Sequence, residues 1–67
     1  MLSLAEKNAA ALAVTDKLYV DLHSKKITAI NIDLIRLAIM EAHPQISSPE
    51  AWYIETRALR LIVERVG

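Results

Sequence analysis

A chain of 67 residues without a single cysteine must draw its stability from helix packing, from a partner, or from both. A domain this short buries only about 60% of the surface its unfolded chain exposes, so small folds commonly carry a disulfide or a metal staple. With no thiol, disulfides and thiolate metal sites are excluded. Apolar residues make up 54% of the chain, enough for one small core and no second domain. The sequence therefore reads as one domain spanning residues 1–67, all-α, with helices over about 3–24, 31–43 and 49–66.

Local signals place those helices. Ser3 followed by Glu6 has the spacing of a capping box, in which each side chain satisfies a free backbone N–H at the other residue. An alanine-rich run continues the helix, and Leu4, Ala11, Leu18 and Leu22 share a face with Asn8 and Thr15, widened by Leu12 and Tyr19. Lys17 and Asp21 fall on the solvated side at i, i+4. His23, Lys25 and Lys26 bring positive charge to the negative end of the helix dipole. The second helix has Asn31 or Thr28 as a cap and must stop before Pro44, which restricts the residue preceding it. Ile30 to Leu34 also alternates apolar and polar, so a short strand competes with the helix over 27–34. Ser47-Ser48-Pro49-Glu50 is the clearest start signal: a serine cap, a proline in the first turn and an acid at the positive dipole end.

The second and third helices carry more apolar surface than one core needs. On the second, Leu34, Ile35, Ala38, Ile39 and Ala42 form one stripe while Leu37 and Met40 sit opposite it. On the third, Trp52, Thr56, Leu59, Val63 and Val66 form the expected core stripe, with Ile62 beside it, and Ile54, Ala58 and Leu61 make a second row. Trp52 is expected in the core. Tyr53 is expected on an exposed face with Arg57 and Arg60, a combination typical of protein-binding hot spots. The candidate partner-binding residues are thus Leu37, Met40, Trp52, Tyr53, Ile54, Arg57, Arg60 and Leu61, and a homodimer through these two helices is one way to cover them.

Chemistry is hard to find. Asp21-x-His23 and Glu41-x-His43 look like pairs of metal ligands, but residues two apart on a helix point in different directions. Gly67 is the only glycine, so no glycine-rich phosphate loop exists. The expectation is a non-catalytic protein with no cofactor and no metal. Eight basic residues balance eight acidic ones, and Arg57 and Arg60 are flanked by Glu50, Glu55 and Glu64, which disfavours nucleic acid. A ribbon-helix-helix DNA binder, with residues 26–33 as the strand, would put Ile27, Ile30 and Ile32 where groove readers are polar. The run from Ile27 to Met40 is broken by Asn31, Asp33 and Arg36, too short for a membrane span, and the alanine run lacks a basic leader. A cytoplasmic location is expected.

Three segments together resemble the theta-subunit family of bacterial DNA polymerase III, small three-helix accessory proteins with a phage homologue. Asp16-Lys17-Leu18-Tyr19-Val20-Asp21-Leu22 is similar to that family's D-K-V-N-V-D-L run. Asn31-Ile32 with Ile35 and a following Pro44 resembles its N-I-P-V-I stretch, with Asp33 in place of the proline. Trp52-Tyr53 with Glu55 and Arg57 is close to its aromatic pair followed by E-R. The likeness covers residues 16–63, with a shorter connection between the first two segments and a longer loop after Pro44. It implies a non-catalytic accessory subunit that binds and stabilises the proofreading 3′ to 5′ exonuclease of the replicase. The other reading is a small phage- or plasmid-type regulatory or inhibitor protein, homodimeric, that docks on a host protein such as a transcription factor.

Overall fold

The computed structural model describes residues 1–66 and contains three helices: α1 (Leu4–His23), α2 (Ile32–Ala42) and α3 (Ser48–Val66). The all-α, three-helix expectation holds, with boundaries within a residue or so of those read from the sequence. Among the described residues there is no strand. Asn31 resolves the ambiguity at 27–34: its extended backbone and its side-chain oxygen, which accepts from the Leu34 N–H at 2.9 Å, start α2 there.

The caps follow the sequence. Ser3 and Glu6 form the full capping box, with bonds of 3.1 and 3.0 Å. Those bonds favour the charged Glu6 carboxylate and lower its pKa, the bond from the Ser3 backbone N–H contributing most. The Ser47 hydroxyl donates to Glu50 at 2.7 Å, and the Leu2 N–H donates to the other Glu50 oxygen at 2.8 Å. This pair ties the start of the chain to the start of α3 and lowers the Glu50 pKa, Ser47 being the larger cause. At the end of α1 the Lys26 N–H reaches the Asp21 carbonyl at 2.9 Å and the Lys25 N–H reaches Leu22 at 3.3 Å. This is a Schellman closure, and it holds Lys25 at φ 69°, a left-handed position that glycine occupies without strain.

The core is built mainly from small and β-branched side chains. Ala10, Ala11, Val14 and Leu18 of α1 meet Ile35, Ala38 and Ile39 of α2 and Ile54 and Ala58 of α3. The alanines let the helix backbones approach, and the isoleucines fill the space between them. Buried Thr15 satisfies its hydroxyl on the Ala11 carbonyl at 2.8 Å. Leu4 and Leu12, expected on the buried stripe of α1, are exposed, because the stripe centres instead on Val14 and Leu18.

Polar clasps set the helix directions. The Tyr53 hydroxyl donates to Asn8 at 2.8 Å with Lys7 above the ring, and Arg65 pairs with Asp16 while stacking on Tyr19. The early parts of α1 and α3 thus lie together, as do their later parts, so the two helices run in the same direction. Arg36 bonds Glu55 at 3.0 Å, and Ile39 and Met40 lie near Ala51 and Trp52, so α2 runs antiparallel to α3. The domain measures 33 × 24 × 15 Å. Its thinnest dimension accommodates two helix layers, so each helix has an outward side without cover.

Candidate protein-docking surface

The orientation of α3 overturns one expectation and creates the site. Ile54 and Ala58 are fully buried, and Ala51, Leu61 and Ile62 pack partly against the core. The stripe expected to be core faces outward: Trp52 is 66% exposed, Val63 68% and Val66 79%, with Leu59 and Thr56 also at the surface. The physical reason lies in the polar neighbours. Glu55 is itself buried, held by Arg36, and Tyr53 is held by Asn8, so the side of α3 between these two anchors faces α1 and α2. Turning Trp52 inward would break both bonds. Trp52 is therefore a surface residue.

Of the residues singled out from the sequence, Leu37 and Met40 are exposed on α2, and Trp52, Arg57 and Arg60 are exposed on α3. Tyr53 is half-buried, its hydroxyl engaged. Ile54 belongs to the core and is not available to a partner, and Leu61 is half-buried against it. The structure brings Met40 and Trp52 together: with Arg36, Ile39, Ser48, Ala51 and Glu55 they line a shallow, mostly apolar groove between α2 and α3. A second depression runs from Trp52 past Tyr53 and Thr56 to Arg57 and Arg60. Leu59, Val63 and Val66 extend the apolar strip along α3 from Trp52 to the end of the helix. Those three were visible in the sequence as a stripe and were assigned to the wrong side of the helix.

The edges of this strip differ in charge. Arg57 and Arg60 border it on the side away from α2, Arg60 in a loose 3.9 Å contact with Glu64. On the α2 side Arg36 is engaged by Glu55, which leaves Asp33 and Glu41 as the acidic groups on that helix. Among the described residues no group of three or more His, Cys, Asp or Glu side chains could hold a metal ion. His23 ends α1, its Nδ1 2.8 Å from the Tyr19 carbonyl oxygen, and His43 caps α2. No described helix is long and apolar enough to cross a membrane. A shallow apolar strip with polar borders suits binding another protein surface better than enclosing a small molecule. No family model, curated protein or solved structure matches the chain.

Proposed function

We propose that this chain is a non-catalytic helical protein-binding module that docks through the outward strip of α3 and the adjoining face of α2. The observation that carries the reading is the exposed apolar row of Trp52, Leu59, Val63 and Val66 along α3, with Met40 beside Trp52, in so small a domain. An exposed tryptophan beside an arginine edge is the composition of an interface anchor. The partner we propose is the proofreading 3′ to 5′ exonuclease subunit of a bacterial replicase, and the role is to bind and stabilise it. Support comes from the resemblance of residues 16–63 to the theta-subunit family, joined now to a three-helix fold of the kind the resemblance implies. The likeness in Trp52-Tyr53 and Arg57 falls on the candidate docking strip.

The test is a titration of the purified chain with a bacterial replicase exonuclease, read by light scattering for mass and by calorimetry for affinity. A one-to-one complex that outlasts the free exonuclease on heating is the expected result. Met40→Glu or Leu37→Glu should weaken that complex while the circular dichroism of the free chain stays helical. No complex at any concentration overturns the exonuclease partner. The strip would then favour the second reading, a phage- or plasmid-type regulator docking on a different host protein, and affinity capture followed by reconstitution with the purified candidate would examine it.

A further inference from the structure

The outward residues of α3 follow a regular spacing. Trp52, Thr56, Leu59, Val63 and Val66 are separated by four, three, four and three residues, the alternation of a heptad seam. In that register Thr56 and Val63 occupy the a positions and Trp52, Leu59 and Val66 the d positions. β-branched residues at a with leucine at d favour two parallel strands, and the seam meets that pattern at Thr56 and Val63 and, among its d positions, at Leu59. We propose that the occupant of this strip in the free protein is a second copy of the same chain, paired through α3 about a two-fold axis parallel to the helix. The inference goes beyond the exonuclease reading and needs no heterologous partner; because both use the same strip, a second copy must leave before a one-to-one complex with the exonuclease forms.

Charge complementarity argues both for a second copy and for the parallel orientation. One edge of the strip carries Arg57 and Arg60 with Glu64 beside them, a net positive edge, and the other adjoins α2, where Asp33 is unpaired among the described residues and Arg36 is engaged by Glu55, a net negative edge. A two-fold axis along the helices sets the arginine edge of each α3 beside the α2 edge of the other, so unlike charges meet twice. A two-fold axis across the helices would set arginine edge against arginine edge and α2 against α2, which like-charge repulsion opposes. The levels also agree. Because α2 is antiparallel to α3 and Arg36 meets Glu55, Asp33 lies one turn farther along, toward the level of Leu59 and Arg60. In a parallel pair that is the level of the partner's Arg60. Met40 and Leu37, exposed on the same side of α2, extend the apolar contact.

The test uses the full chain, whose lack of cysteine makes an introduced thiol unique. Sedimentation across a concentration series should show a monomer–dimer equilibrium, and Leu59→Glu should shift it toward monomer by about tenfold or more while leaving the helix content unchanged. Val63→Cys should cross-link to itself under mild oxidation, because a residue at a faces its own copy in a parallel pair. Asp33→Arg should weaken the dimer, and adding Arg57→Glu with Arg60→Glu should restore it. A chain that stays monomeric throughout overturns the proposal, as does a dimer indifferent to Leu59→Glu. Cross-linking only between Trp52→Cys and Val63→Cys chains in a mixture would overturn the parallel arrangement. A dimer that forms while the exonuclease fails to bind leaves this inference standing and removes the previous one.

Discussion

Ile54→Ala and Val63→Ala, both in α3, should separate cleanly in stability, because Ile54 is 0% exposed and Val63 is 68% exposed. Truncating Ile54 removes three buried carbons at about 0.8 kcal/mol each. A void of roughly 80 Å³ left uncollapsed would add about 2 kcal/mol more, and alanine returns about 0.4 kcal/mol in helix propensity. The net cost is about 2–4 kcal/mol. A domain of 67 residues has about 3–10 kcal/mol in total, so this one change removes a large share of it and lowers the melting temperature by roughly 15–30 °C. Truncating Val63 forfeits only the third of its surface that is covered, about 0.5 kcal/mol, and regains about as much from helix propensity. Its net effect is close to zero. Urea and thermal denaturation followed by circular dichroism at low micromolar protein measure both, and any further Val63 cost that comes from pairing should vanish on dilution. Equal costs for the two variants, or a larger cost for Val63, would refute the orientation of α3.

Lys25→Gly should stabilise the fold by about 1 kcal/mol, since it relieves a side chain from a left-handed backbone at φ 69°, and a thermal melt with no gain would contradict the Schellman closure of α1. Tyr53→Phe should cost about 1 kcal/mol in denaturant titration by stranding the half-buried Asn8 oxygen; a neutral result would mean that the 2.8 Å bond is not held in solution. Glu6 and Glu50 have folded pKa values below the ordinary 4.5, so the unfolded chain binds more protons in acid. Their contribution is therefore fully present above that value and is lost as pH falls through the lowered values, and Glu6→Gln with Glu50→Gln should flatten the acid limb of a stability–pH profile. An unchanged acid limb would assign that limb to other carboxylates.

Legibility in the sequence tracked the range of the interaction concerned. Ser3 with Glu6, Asn31 before Leu34, and Ser47 with Glu50 act over three residues, and each cap formed as its spacing implied. The choice between the two apolar rows of α3 was not local. Both the row through Trp52 and Leu59 and the row through Ile54 and Ala58 satisfy helical periodicity, and the second is shorter and contains the smaller alanine. What decided between them were partners far away in the chain: Asn8 for Tyr53, Arg36 for Glu55 and Asp16 for Arg65. Only Glu55, an acid beside an apolar row, offered a hint, and it pointed to a buried ion pair only once Arg36 was known to lie opposite. Leu37 and Met40 were legible because Asp33, Arg36 and Glu41 surround them on the same side of α2. The same ambiguity hid Leu59, Val63 and Val66 as surface residues, although their seam spacing was visible throughout.

The most direct measurement of whether the α3 strip is a protein-binding face uses Trp52, the only tryptophan in the chain, as its own reporter. Its emission maximum and its quenching by iodide can be followed first on dilution of the free chain and then on titration with a replicase exonuclease. A red-shifted, readily quenched indole in the dilute chain, moving to blue-shifted and protected emission as protein is added, is the predicted result. An indole that is protected at every dilution would place Trp52 in the core, and one that stays open to iodide at every concentration of either protein would contradict the strip as a docking face.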